Sequence, residues 1–235
     1  MDVTTAGTAG THIVYPESDG KPMAETDVHI DALIYLREAL KDHFRDMPQV
    51  YVAGNLLLYY EEGDPTACVA PDVFVVQGVA KHERRTYKLW EEGVAPAAVF
   101  EITSRGSRLE DLGTKRALYA MLGVEEYFLY DPLGEYLEPA LQGYRLQGGD
   151  YKRMCPDADR GLVSQVLGID LRLEQGRLRV VDPATGDRLM TPAEAQEARR
   201  AEASARQAAE ARAAQAEAEL ERVRAELARL REETP

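Results

Sequence analysis

Residues 97–130 confine the possible folds of this chain more than any other stretch. Ala97 to Thr103 spell AAVFEIT, a short apolar run of the kind that forms a buried strand. LEDLGTKRALYAML follows at residues 109–122, with Leu109, Leu112, Leu118 and Leu122 at helical spacing, acidic residues early and Gly123 at the stop. EYFLYD then makes a second strand, ending at the Asp131-Pro132 turn. Strand, helix and strand in that order imply a crossover, so the two strands lie parallel in one sheet.

The flanking segments extend this core. A helical pattern starts at Thr26, with Ile30, Leu33, Ile34, Leu40 and Phe44 on one face, Thr26 or Asp27 as cap and Pro48 beyond the end. VYVAGNLLLYYEEGDP reads as a strand or bent hairpin with a bulge or turn at Gly54-Asn55, and Val73 to Val76 as a further buried strand. From Gly134 to Asp182, turn residues alternate with short patterned runs, as in antiparallel hairpins. The expected fold class is α/β or α+β, a mixed central sheet flanked by helices.

Near Thr191 the composition changes. From Pro192 to Thr234 the chain is dominated by Ala, Glu, Arg and Leu and reads as one long helix. Leu220, Val223, Leu227 and Leu230 recur at spacings of three and four, and Ala216, Ala213 and Ala209 continue the seam. A coiled coil that joins copies of the chain into a homo-oligomer is one reading. An isolated, solvated helix held by Glu/Arg pairs is the other. Three regions are therefore expected: a flexible arm at 1–14, a folded domain at 15–186 and a helical tail at 187–235.

Charge narrows the partners. The formal net charge is −13. The tail from Asp187 carries eleven acidic and nine basic residues, which leaves −11 for the rest. A nucleic-acid partner would need a local basic patch or a metal ion. No apolar run approaches the roughly 20 residues of a membrane span. The N-terminus lacks both the basic start and the apolar stretch of a secretory signal, so a cytoplasmic protein is expected. Cys68 and Cys155 are isolated from any CxxC or Cys/His cluster and are read as free thiols.

Two acidic residues stand where solubility would not put them. Asp72 directly precedes a strand, and Glu101 is embedded in an apolar run, where a carboxylate must be paired or bound to a metal. Carboxylates from neighbouring strand ends form a hard oxygen site suited to Mg²⁺ or Mn²⁺. Lys115, four residues after Asp111 on the next helix, could orient water and stabilise charge on a phosphate. Each has a plainer explanation: Asp72 as a turn residue, Glu101 in a salt bridge to Lys115 or Arg116, Asp111 and Lys115 as a surface pair. Substrate contacts are sought in two basic clusters, Lys81, Arg84, Arg85 and Lys88 in one, Arg105 and Arg108 in the other; the first could equally be a solvated loop.

DGKPMAETDVH, GNLLLYY, APDVFVV, FEITSRGSRLEDLGTKRALYAMLGVEEYFLYDP, GYRL and LGIDLRL, in this order, resemble the Uma2 group of restriction-endonuclease-like proteins in the PD-(D/E)XK nuclease superfamily. The resemblance implies a mixed sheet flanked by helices. It makes Asp72 the motif aspartate, Glu101 the second acidic ligand and Glu25 an acidic residue that helps at the metal. The superfamily's Glu-X-Lys is here Glu101-Ile102-Thr103, and Lys115 is the implied substitute for the missing lysine. Ser104, Asp111 and Tyr119 match positions that support the ligands, and His29 is also family-like, although a lone His is more often structural.

The resulting expectation is a Mg²⁺- or Mn²⁺-dependent endonuclease acting on DNA. The competing one is a nuclease-like fold that no longer cuts and serves as a binding or assembly module organised by the tail. The acidic core and the missing Glu-X-Lys lysine favour the second.

Overall fold

The structure is a computed structural model that describes residues 13–18, 26–157 and 161–232. The chain divides into two compact units, Met1–Leu189 and Met190–Pro235.

The first unit opens with α1 (Asp27–His43), whose start is fixed by Thr26, the side chain of which accepts from the His29 backbone N–H. Such a cap contributes about 1 kcal/mol. The helix buries His29, Tyr35, Leu36, Ala39 and Leu40, whereas Ile30 and Ile34, expected on the inner face, are exposed. A tertiary anchor sets this rotation. The Tyr35 hydroxyl accepts from Val180 N at 2.8 Å and donates to Leu189 O at 3.2 Å.

After α1 come β1 (Val50–Gly54), β2 (Leu58–Tyr59), β3 (Cys68–Val69), β4 (Val73–Gln77), β5 (Tyr87–Lys88), α2 (Leu89–Glu92) and β6 (Ala98–Ile102). Asn55 takes a left-handed φ of 51° and makes the turn signalled by Gly54-Asn55. The crossover follows as α3 (Arg108–Leu112), α4 (Thr114–Met121) and β7 (Glu126–Tyr130). Next come β8 (Leu141–Gln147), β9 (Asp150–Arg153), β10 (Leu162–Ser164), β11 (Ile169–Glu174) and β12 (Arg177–Val181).

The main sheet runs β1-β4-β6-β7-β8-β9. Within it β6 and β7 are parallel, as a crossover requires, and the other pairs are antiparallel. Its central strands are buried on both faces. Val73, Val75, Phe100 and Ile102 point toward α1 and the β10-β11-β12 sheet, while Phe74, Val76 and Val99 point toward Tyr119 and Tyr127. This is the two-layer burial that continuous apolar strands demand.

The helix expected over 109–122 is broken at Gly113. A Cβ at that position would stand 2.9 Å from the Leu109 carbonyl oxygen, so the turn between α3 and α4 accepts glycine alone. Leu109, expected inside, is 76% exposed. The side that faces the sheet carries Asp111, Lys115 and Tyr119, and Leu122 packs against the core beyond them.

Residues 187–189, which composition groups with the tail, fold back on the first unit. Asp182 N donates to Asp187 O and Leu189 N to Val180 O. Backbone pairing here overrides composition. The second unit is α5 (Pro192–Glu232), started by a reciprocal cap in which Glu194 N donates to Thr191 Oγ1 and Thr191 N to Glu194 Oε2. Among the described residues no helix is long and apolar enough to cross a membrane.

Candidate active site

The pleat of β6 decides where Glu101 points. Alternate residues of a strand face opposite sides, so Glu101 joins Val99 on the side covered by α4. Its carboxylate is 1% exposed and held at both oxygens: the Lys115 ammonium lies 2.8 Å from Oε2, and the Tyr119 hydroxyl donates to Oε1 at 2.6 Å. Lys115 also lies 3.0 Å from Asp111 Oδ1. Asp111 is fully buried, so the Asp111–Lys115 pair belongs to the interior and not to the surface. Tyr127 fixes the end of α3 by donating to the Asp111 carbonyl at 2.9 Å.

Asp72 approaches from the neighbouring strand. It sits just before β4, and its Oδ2 accepts from Ile102 N at 2.6 Å, which ties the loop to the end of β6. Its Oδ1 is 3.5 Å from His29 Nε2, so α1 reaches the site as well. This bond to the backbone beside Glu101 is more than a turn aspartate makes.

Three carboxylates thus crowd one ammonium. Burial pushes the Glu101 carboxyl up to about 8; Lys115 opposes the rise, while Asp72 and Asp111 add to it. Burial works against the Lys115 charge too, but Glu101, Asp111 and Asp72 outweigh it and hold the ammonium above its ordinary range. Tyr119 is pushed well up by burial and by Glu101, and stays a donor. Asp111 Oδ1 has the Lys115 ammonium at 3.0 Å, but among the described residues Asp111 Oδ2 and Thr103 Oγ1 have no hydrogen-bond partner. Such orphaned buried oxygens are uncommon and call for an explanation. The pair that could hold a cation is Asp72 and Glu101, both oxygen donors. Among the described residues no three His, Cys, Asp or Glu side chains converge into a ready metal cage.

Other expected residues lie elsewhere or do other things. Glu25 falls outside the described residues. Ser104 exchanges hydrogen bonds with Ser107 and receives Arg108 N at its carbonyl, shaping the turn into α3. Arg105 and Arg108 are exposed on that turn. The cluster of Lys81, Arg84, Arg85 and Lys88 is tied into the structure. Arg84 makes a two-pronged pair with Glu92 at 2.7 and 2.9 Å and lies over the Tyr51 ring, with its side chain 4% exposed. Arg85 pairs with Glu17, Lys88 with Glu91, and Lys81 donates to Phe44 O and Arg45 O at the end of α1.

Arg37 and Lys41 lie outside both basic clusters named from the sequence. They line, with Lys81, Arg84, His82 and Tyr51, a groove of about 550 Å³ along β1. The groove adjoins Asp72: a Cβ at Gly54 would fall 2.6 Å from Arg37 Cδ and 3.4 Å from the Asp72 carbonyl. Burial and, after it, the nearby Arg37 push the Lys41 ammonium down, against the opposing pull of Glu38 and Glu83. The i, i+4 placement of Arg37 and Lys41 on α1 was the signal in the sequence.

The pattern of a family described as "Uma2: Putative restriction endonuclease" matches residues 9–176. Among solved structures, this chain is similar to the "Crystal structure of a putative nuclease belonging to DUF820" from Anabaena variabilis, at 15% identity over 63% of this chain and 76% of that one, with a TM-score of 0.46. No curated protein matches.

Proposed function

The chain belongs to the Uma2 family of nuclease-type proteins, and from that membership we propose that its first unit hydrolyses phosphodiester bonds in DNA with the help of Mg²⁺ or Mn²⁺ held by Asp72 and Glu101. The observation that carries this reading is the buried Lys115–Glu101–Tyr119 constellation beside Asp72. The donor set fits such an ion: it is all oxygen, it holds more carboxylates than ammonium groups, and Mg²⁺ is commonly bound by one or two carboxylates, with water and substrate phosphate completing the shell. When bound, the ion supplies Lewis acidity toward the phosphate and an activated water.

The chain's own residues divide the remaining work. Tyr119 fixes the orientation of the Glu101 carboxylate. Asp72 is pinned by Ile102 N through one oxygen, and its other oxygen lies 3.5 Å from His29 Nε2. Lys115, held as a cation, serves as a donor that orients water and stabilises charge on the phosphate, a role for a charged group and not for a base. Asp111, 3.0 Å from the Lys115 ammonium, holds that charge beside the site independently of Glu101. Arg37 and Lys41 in the adjoining groove contact the phosphate backbone, contacts that position the duplex without reading its sequence.

The test is cleavage of supercoiled plasmid with Mg²⁺ or Mn²⁺. Glu101→Ala and Asp72→Ala are expected to abolish nicking, and cleavage unaffected by Glu101→Ala would overturn the reading. A second reading, a binding module that does not cut, is favoured by one observation: Lys115 already neutralises Glu101 within the chain. Titration calorimetry separates the two, since a non-cutting module needs no affinity for Mg²⁺ or Mn²⁺.

A further inference from the structure

The second unit presents an unpartnered face with a readable charge code. Every described side chain of α5 after Thr191 is exposed or partly so, yet the large apolar ones are confined to one seam, Leu220, Val223 and Leu227, all exposed. Their spacing of three and then four admits one heptad frame, with Leu220 and Leu227 at a and Val223 at d. Counting back puts Ala216 and Ala209 at d and Ala213 at a, and then Arg206 at a and Glu202 at d, where charge ends the seam.

The frame also fixes the flanking positions. Arg212, Glu219 and Glu226 fall at g, and Glu217, Arg224 and Arg231 at e. In a parallel, in-register coil each g residue meets the e residue five positions later on the partner helix. That gives Arg212 with Glu217, Glu219 with Arg224 and Glu226 with Arg231, opposite in sign every time and doubled by symmetry. An antiparallel coil that sets Leu220 against Val223 pairs Glu217 with Arg224 but forces Glu219 against Glu226. We infer that α5 docks on a second copy of this chain as a parallel, in-register coiled coil over its C-terminal half.

Within one helix, Arg224 engages Glu221 at 3.0 Å and Arg222 lies 3.7 Å from Glu219. These exposed pairs are weak and can be exchanged for contacts across the seam. Parallel pairing makes both copies of the first unit enter the coil from the same end, which raises the local concentration of one for the other's substrate.

The test uses the full chain in sedimentation equilibrium. The unmodified protein self-associates; Glu219→Arg or Arg224→Glu alone sets like charges across the seam and weakens association several-fold; the double variant Glu219→Arg/Arg224→Glu restores it. The two sources of the effect separate, because the double variant keeps opposite charges across the seam but leaves position 219 like-charged with Arg222 and position 224 like-charged with Glu221 within each helix. As a second measurement, Ala216→Cys, with Cys68 and Cys155 replaced by serine, forms a disulfide-linked dimer under mild oxidation. A monomeric unmodified chain, a double variant weaker than either single one, or no cross-link at Ala216→Cys overturns the inference.

Discussion

Two glutamates are buried on the adjacent parallel strands β6 and β7, and they do opposite things. Glu126 is fully buried, yet Arg145 grips its Oε1 at 3.0 and 2.8 Å, Ser164 Oγ donates to Oε2 and Gln165 N donates to Oε1. One carboxylate has its own guanidinium and two further donors. Glu101 shares a single ammonium with Asp111 and stands near a third carboxylate, Asp72. Burial alone therefore does not mark a functional carboxylate, because both residues are equally hidden. Charge balance separates them: the satisfied glutamate reads as structure, and the crowded one is the candidate for a site.

That contrast can be broken by direct substitution. The largest effects are expected from Glu101→Ala and Glu126→Ala, in opposite measurements. Glu101→Ala removes plasmid cleavage with little loss in melting temperature. Glu126→Ala leaves Arg145 and Ser164 without their partner and lowers unfolding free energy by about 3 kcal/mol, read by urea denaturation. Equal destabilisation by both variants would erase the distinction.

Lys115→Ala comes next. It removes the ammonium that three carboxylates share, and cleavage should fall by about 100-fold or more, the usual scale for losing one donor to developing charge. The same variant should melt at a lower temperature without divalent cation and recover when Mg²⁺ is added. A variant indifferent to Mg²⁺ would show that the carboxylates do not form a cation site.

The pH dependence sharpens the comparison further. The Glu101 carboxyl titrates at about 8 in the fold against an ordinary 4.5. The folded state thus holds the proton more tightly than the unfolded one, so this contribution is fully present below 4.5 and is lost as pH rises to 8. The cation-free protein is expected to lose stability across that window relative to Glu101→Gln, in thermal melts with chelator, and the rise in melting temperature given by Mg²⁺ should grow with pH. A parallel pair of melting curves would refute it. The smallest effect belongs to the groove: Arg37→Ala should weaken binding uniformly across DNA sequences and reduce the salt slope of binding by about 1.

Much of the site was legible before any fold was seen. Glu101 stands out because a charge in AAVFEIT has to be accounted for, and Lys115 lies four residues after Asp111, on one side of the expected helix, whereas Tyr119 is marked only by the family resemblance. Thr26 as cap and the parallel β6–β7 pair were equally visible, since capping and hydrophobic period are local. The leucine spacing over 109–122 misled, because it outweighed Gly113 and pointed to a face led by Leu109, which is exposed. The Ile30 face of α1 misled for a related reason: several apolar residues compete for the interior, and the Tyr35 bonds to Val180 and Leu189, remote in sequence, decide among them.

What the sequence determined by itself is therefore the short-range part: the order of elements, the crossover, the tail helix with its seam, and the presence of a buried acid in need of a partner. Tertiary structure alone decided which buried acid is left short of positive charge. Arg145 reaches Glu126 from nineteen positions away because β7 and β8 pair in one register, and Asp72 meets the Glu101 strand because β4 pairs with β6. Electrostatic balance depends on which charges lie within a few ångströms, and strand register, not sequence proximity, sets that distance.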